Sequence, residues 1–280
     1  MSGDVSGRLH VVATPIGNLG DLSPRALATL KQVDLVAAED TRHTRHLLAA
    51  FGLSAKLVAL HEHNEAERSP QLVQRMLAGE EIALVSDAGT PLISDPGFRL
   101  VRAAREAGIP VSPLPGACAA IAALSVAGIA SDRFVFEGFL PSRTGARRER
   151  LQALASESRT LIFYESSHRI LATLADMAGI FGANRAAVLA RELTKQYETV
   201  LDGGLGDLHQ RVEADPDQQR GEFVVLVEGA QAQAGEAALA LGRRAFSLLR
   251  EHLPPSQAAR LAAEISGAPR RQIYDAKGNG

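Results

Sequence analysis

Short apolar runs rich in β-branched residues alternate along the first half of the chain with longer stretches of helical periodicity. Runs of the first kind occupy residues 9–13, 34–38, 56–60, 82–86 and 109–112. Stretches of the second kind fill 24–32, 41–51, 70–78, 98–107 and 117–126. Continuous apolar runs of a few residues suit buried strands, and apolar residues three to four apart suit helices packed on them. The alternation predicts an α/β layer with a largely parallel sheet. Ser23-Pro24 reads as a helix start, Ser as cap and Pro at the first helical position. Gly108 and Gly128 stand where left-handed caps close helices.

A second alternating set follows, with strands predicted at 134–137, 160–164, 187–190, 199–202 and 223–227. Helices are predicted near 146–155 and 168–181, with a short one ending at Val212. From residue 235 onward the pattern changes to alanine-rich helices interrupted by Pro254-Pro255 and by 267–269. The expected organisation is an α/β domain over 1–128, a second over 129–232 with a cleft between them, and a small helical extension over 233–280.

Composition narrows the class. The 280 residues carry 30 Lys and Arg against 32 Asp and Glu, a formal −2. That balance excludes a histone-like polycation and an acidic disordered tail. The stretch 243–277 has seven basic and three acidic residues, a local +4 on a body of −6. An anionic partner or simply a solvated helix face would account for it. One cysteine, Cys118, cannot form an intrachain disulfide, and a reducing compartment is expected. No apolar run reaches the ~18 residues of a membrane span, and Asp4 and Arg8 interrupt any signal-peptide core. The expectation is a soluble, cytoplasmic protein without membrane association. With 3 Tyr, 9 Phe and no Trp, aromatic stacking on bases is not the obvious binding device.

Familiar chemical motifs are missing: no Gly-x-Gly-x-x-Gly, no P-loop, and no Gly-x-Ser-x-Gly elbow. The chain offers instead loops at strand ends, where α/β folds gather ligands. One is 13–24, with two glycines and two prolines; another is 86–97, with two each of Asp, Pro and Gly; a third is 114–120, built of small residues. Each could merely connect a strand to a helix, but three together favour a nucleotide-like ligand. Polar clusters lie at 39–46 and 61–65, holding four of the eight histidines, yet their spacing matches no zinc signature and no metal site is expected. Glu165-Ser166-Ser167-His168-Arg169 and Arg191-Glu192-Leu193-Thr194-Lys195 each follow a strand and could face one cleft or pair with one another.

The strings 14–18, 38–42, 61–65, 86–91 with 94–97, Pro115-Gly116, 136–141, 165–169, 191–195 and 221–223 together resemble the tetrapyrrole methylase superfamily, in its branch that methylates small-subunit ribosomal RNA. The resemblance runs from about Leu9 to Glu228, and the tail resembles that branch's helical extension. It implies two α/β domains with S-adenosylmethionine held between them, a homodimer, and 2′-O-methylation of cytidine 1402 in 16S ribosomal RNA. It implies that Thr14 and Pro15 face the methyl donor, that Asp87, Gly89, Thr90, Ile93, Ser94, Ala117 and Cys118 hold it, and that Phe163 and Tyr164 close the pocket. Tetrapyrrole-modifying members carry Gly-Pro-Gly-Asp and Gly-Gly-Asp-Pro turns; here Thr14-Pro15-Ile16-Gly17-Asn18 and Asp87-Ala88-Gly89-Thr90-Pro91 stand instead. A tetrapyrrole methyltransferase or a non-catalytic ribosome-assembly factor are the competing functions. A ribose hydroxyl is a poor nucleophile near neutral pH, so a base or a cation beside the developing alkoxide would help. Glu39, Asp40, Glu165 and His168 are the acid–base candidates, Glu165 or Asp40 favoured as base, with Lys195 as a catalytic cation. Arg42, Arg169, Arg270 and Arg271 are the expected grips on RNA.

Overall fold

The protein is described here by a computed structural model over residues 7–230 and 234–274. Asp4, Asp275 and Lys277, used above in the leader and tail-charge readings, lie outside those residues.

The first half folds as β1 (Leu9–Val12), α1 (Pro24–Gln32), β2 (Leu35–Ala38), α2 (Thr41–Ala50), β3 (Leu57–Ala59), α3 (Glu65–Leu77), β4 (Ile82–Val85), α4 (Phe98–Glu106), β5 (Val111–Leu114) and α5 (Ala119–Val126). The five strands form one sheet in the order β3-β2-β4-β1-β5, with every neighbouring pair parallel. β2 and β4 are apolar throughout and buried at every position, as a strand covered on both faces must be. Leu9, Leu35 and Leu84 pack on one face against Leu72, Met76 and Leu100. Val12, Val36 and Val85 pack on the other against Ala26, Leu30 and Leu48. Ser23 caps α1, its hydroxyl accepting from the Ala26 amide, as predicted.

Two boundaries differ from the sequence reading. α3 begins at Glu65 rather than at 70, with Pro70 inside it. Pro70 forfeits only the bond to the carbonyl four residues back, while Asn64 braces the entry by accepting from the His61 amide and donating to the Ala59 carbonyl. The buried Glu65 carboxylate accepts from the amides of Gly97, Arg99 and Leu100, thereby capping α4. β5 runs through Pro113, which is tolerated because β5 lies at the sheet edge.

The second half folds as β6 (Phe134–Phe139), α6 (Thr144–Leu154), β7 (Thr160–Ser166), α7 (Ile170–Phe181), β8 (Ala186–Arg191), β9 (Thr199–Gly204), α8 (Leu205–Ala214) and β10 (Glu222–Val227). Its sheet has the order β6-β7-β10-β8-β9. Only β6 and β7 pair in parallel; β10 is antiparallel to both β7 and β8, and β9 to β8. The expectation of a parallel sheet therefore holds for the first half alone. The connection 192–198 is too short for a crossover, so β8 and β9 pair antiparallel. α5 packs on this second sheet through Ala120, Ala123 and Leu124 against Ile162, Val188, Ala190 and Val224.

Both sheets belong to one compact unit, Met1–Gln152 with Thr160–Glu228. A second unit comprises Ala153–Arg159 and Gly229–Gly280. It contains α9 (Ala234–Leu249), α10 (Pro255–Ser266) and α11 (Arg270–Tyr274). Ala262, Ala268 and Ile273 form its core with Leu239, Phe246 and Leu249 around them. Gly267, at φ +71°, closes α10 with its amide on the Ala263 carbonyl.

Candidate active site

At the carboxyl edge of the first sheet, the loops after β1, β4 and β5 are tied together. Thr14 and Gly89 exchange backbone hydrogen bonds, 2.8 Å from the Thr14 amide and 3.1 Å from the Gly89 amide. The Thr14 hydroxyl donates to the Ser86 carbonyl at 3.2 Å, and the Thr90 hydroxyl to the Ala117 carbonyl at 2.9 Å. Gly116 is required by crowding, since a Cβ there would stand 2.8 Å from the Ala13 Cβ. Gly89 is required by conformation, at φ +87°. Beyond these loops lies a cavity of about 420 Å³, walled on one side by Ile16, Ala88, Gly89 and Cys118 and on the other by Tyr164, Ala190 and Val224.

Three carboxylates of the first half, Glu39, Asp87 and Asp95, line it. The Glu39 carboxylate accepts from the Asp87 amide at 3.2 Å, and that of Asp87 from the Asp40 amide at 3.1 Å. Burial raises the Glu39 pKa above its ordinary value, against the opposing pull of the Asp87 amide. Asp95 is pushed up to about 7, chiefly by burial and further by the charges of Glu39 and Asp87, while the Ser86 hydroxyl opposes the shift. Opposite, Lys195 Nζ donates to Glu192 and Glu222, both at 2.8 Å. Burial pulls its pKa down, but the two carboxylates outweigh it and leave it raised. The Lys195 stem lies directly against Gly17, where any Cβ would collide with it. Among the described residues, the non-glycine positions with positive φ are Leu92, Ser94, Glu192 and Thr194. All four belong to the two loops that supply Asp95 and Lys195, and such strain collects where function over-determines the backbone. No group of three His, Cys, Asp or Glu side chains is placed so that it could hold a metal ion among the described residues.

Of the residues singled out in the sequence, Glu39, Asp87, Gly89, Thr90, Ile93, Ser94, Cys118, Tyr164 and Lys195 line the cavity, and Glu165 borders it with a side chain that has no exposed surface. Thr14 and Pro15 are buried in the bracket behind the lining, and Ala117 serves through the carbonyl that holds Thr90. Phe163 is wholly buried on the face of β7 away from Tyr164, because side chains alternate along a strand. Glu165 shares that far face. Its side chain has no exposed surface and accepts from the Thr173 hydroxyl at 2.7 Å and the Ser166 amide at 2.8 Å, with Arg169 at 3.2 Å. These contacts anchor the side chain between β7 and α7. Asp40 caps α2 and takes the Arg42 guanidinium at 2.7 Å, which together with the Arg42 amide holds its carboxyl well below the usual range. A carboxylate so stabilised is a poor proton acceptor.

His168 is exposed and lines no part of the cavity. Arg169 donates to the Leu140 carbonyl at 2.6 Å, which makes it a brace for the loop after β6. The Arg42 side chain is exposed. Arg270 and Arg271 belong to the second unit, where Arg270 donates to the Ser256 carbonyl at 3.1 Å. Asp95 was passed over in the sequence; its signal was a second Asp between Ser94 and Pro96 in a loop already rich in turn formers.

Residues 8–209 match the family model of Tetrapyrrole (Corrin/Porphyrin) Methylases, and 236–276 match the RsmI C-terminal HTH domain. A ribosomal RNA small subunit methyltransferase I of Xylella fastidiosa is 62% identical over 268 residues, covering 96% of this chain and 98% of its own. A protein of the same name from Pseudomonas aeruginosa is 57% identical over 270 residues, with 96% of each chain covered. The solved structure of uroporphyrin-III C-methyl transferase from Thermus thermophilus, complexed with S-adenosyl homocysteine, shares the fold with a TM-score of 0.54 at 19% identity, over 80% of this chain and 98% of that one. Family models and relatives agree along the chain, which therefore belongs to the tetrapyrrole methylases, in the group of ribosomal RNA small subunit methyltransferases I.

Proposed function

We propose that the protein transfers a methyl group from S-adenosylmethionine to the ribose 2′-oxygen of cytidine 1402 in 16S ribosomal RNA. The observation that carries this reading is the near-full-length likeness to ribosomal RNA small subunit methyltransferases I. The cavity suits the donor: three carboxylates facing one already paired lysine favour a cationic ligand, and Ala88 and Gly89 leave backbone open to it. When bound, S-adenosylmethionine supplies an electrophilic methyl group. Backbone groups of the 86–97 loop and Cys118 hold the donor, and Asp95 accepts a proton near neutral pH. Lys195 offers its charge to the oxygen or the phosphates. Transfer of labelled methyl to unmethylated small ribosomal subunits tests the reading; absence of label at cytidine 1402 rejects it.

Two expected results follow from this placement. Calorimetry should give one S-adenosylmethionine per chain, unaffected by chelator, and Gly89→Leu should weaken it at least tenfold. A leucine at φ +87° is strained, and its Cβ comes within 3.2 Å of Ile16. Unchanged affinity in that variant would place the donor elsewhere.

The second unit is proposed to grip RNA phosphates. α10 and α11 are joined by 267–269, and Arg270 and Arg271 open α11. Arg270→Gln with Arg271→Gln should reduce the dependence of log K on log salt by about one for each phosphate the protein no longer neutralises. The methylated nucleotide should not change. An identical salt slope rejects the grip.

The chain is also proposed to act as a homodimer in the cytoplasm. Among the described residues no helix is long and apolar enough to cross a membrane. Ile121 and Val126 of α5 are 51% and 56% exposed. Light scattering on the purified chain reads the mass.

A further inference from the structure

We propose that Phe139 is the stacking surface for the nucleobase of the target nucleotide, and that a bulge in β6 aims it into the cavity. The inference rests on the RNA-methylation reading above and adds to it the residue that holds the base. β6 pairs with β7 as Phe136↔Ile162, then Gly138↔Phe163 and Phe139↔Tyr164. Ile162 and Tyr164 are two apart on β7 and share a face. Their partners share that face as well, although Phe136 and Phe139 are three apart, because the bulge adds one residue. In an unbroken strand Phe139 would point to the opposite side. Gly138 permits the bulge: its φ is +65°, and a Cβ there would stand 2.7 Å from Ser94 Oγ. The bulge thus lies in close approach to the strained 86–97 loop that forms the other wall.

Its product is a ring of unusual exposure for a cavity wall. Three aromatic residues line the cavity: Phe139, Tyr164 and Phe223. Phe223 is 3% exposed, and the Tyr164 hydroxyl is held by the Ala120 amide at 3.2 Å. Phe139 is 55% exposed and meets the Tyr164 ring at 5.7 Å and 67°, which fixes its tilt without covering it. Phe136, the other ring on Tyr164, packs into the apolar cluster beneath α5. One phenyl face is therefore open beside a cavity whose opposite wall is the small-residue backbone cradle. A ribose presented to that cavity carries its base alongside, and RNA readers splay bases from single strands onto aromatic faces.

The test uses the full chain with Phe139→Ala, Phe139→Leu and Phe139→Trp, each checked for its melting temperature and mass. Methyl transfer to unmethylated small subunits and anisotropy binding of a short cytidine-containing single-stranded RNA are measured together. The expected result is a fall of roughly 10–100-fold in kcat/KM and in oligonucleotide affinity for Ala and Leu, with Trp close to wild type and S-adenosylmethionine affinity unchanged in all three. Leu equal to Phe would reduce the ring to an apolar filler. A parallel loss of S-adenosylmethionine affinity would assign the ring to the donor, and a change in mass would assign it to a subunit contact; each overturns the inference. A wild-type chain that transfers no methyl rejects the functional reading instead, and the oligonucleotide series then still decides the base platform.

Discussion

Asp95→Asn is expected to lower methyl transfer by roughly 10²–10⁴, the scale of losing a general base, while S-adenosylmethionine affinity stays within a few-fold. Asp95 lines the cavity among Glu39, Asp87 and the Ser86 hydroxyl, and burial with those charges pushes it up to about 7. It therefore sheds and takes a proton at working pH, whereas Asp40 is held ionised by Arg42 and Glu165 is enclosed by Thr173 and Arg169. The wild-type rate should rise with pH to a plateau above about 7, and the asparagine variant should lack that rise. A stability signature accompanies it. The folded pKa lies above the ordinary 3.8, so the folded state keeps the proton longer and this site favours folding most at low pH. That contribution is lost as pH climbs from 3.8 through about 7, and Asp95→Asn should remove the loss. Urea unfolding at several pH values reads it. A variant with near-normal turnover and an unaltered pH–rate profile would refute Asp95 as the base.

Asp176→Asn should destabilise the fold by about 3–5 kcal/mol, the usual consequence of leaving a buried charge without its partner. Arg147 donates through Nε and Nη2 to Asp176 Oδ2, both at 2.7 Å, and Arg148 Nε to Oδ1 at 2.7 Å. The side chains of Arg147 and Asp176 are each 5% exposed, so water cannot replace either. Burial alone would raise the Asp176 pKa, but the two guanidiniums reverse it and leave it lowered. Stabilisation by Asp176 is therefore present above the ordinary carboxylate range and disappears as pH falls through its depressed value. Replacing both partners, Arg147→Met with Asp176→Leu, should recover much of the loss because no orphan charge remains. Denaturant titration of the single and double variants tests this. A single variant within 1 kcal/mol of wild type, on the scale of an exposed pair, would show that the bridge is not sealed from solvent.

Neither residue stood out in the sequence, and the reason is the same for both. Asp95 is one of several turn formers in its loop, between Ser94 and Pro96, and nothing in the sequence around Asp176 singles it out. Glu165 and Asp40 looked better because each follows an apolar strand run. That logic located the loops correctly but not the direction of the carboxylates. Glu165 sits one residue past Tyr164 and so faces the other side of β7. Asp40 faces its own helix terminus, where the Arg42 amide and guanidinium claim it.

Local pattern by itself determined the order of strands and helices in both halves, the helix start at Ser23-Pro24, and the three loops that hold the cavity. These depend on burial period, capping and turn chemistry, which act over a few residues. Long-range pairing decided the rest. The insertion of β10 between β7 and β8 made the second sheet mostly antiparallel and brought Glu222 to Lys195. The Thr14–Gly89 bridge moved Thr14 from the lining into its support. The bulge at Gly138 turned Phe139 toward the cavity, and burial, with the charges of Glu39 and Asp87 beside it, raised the pKa of Asp95. Each of these depends on distances between residues far apart in the chain, and burial, register and electrostatic coupling exist only once those residues have been brought together.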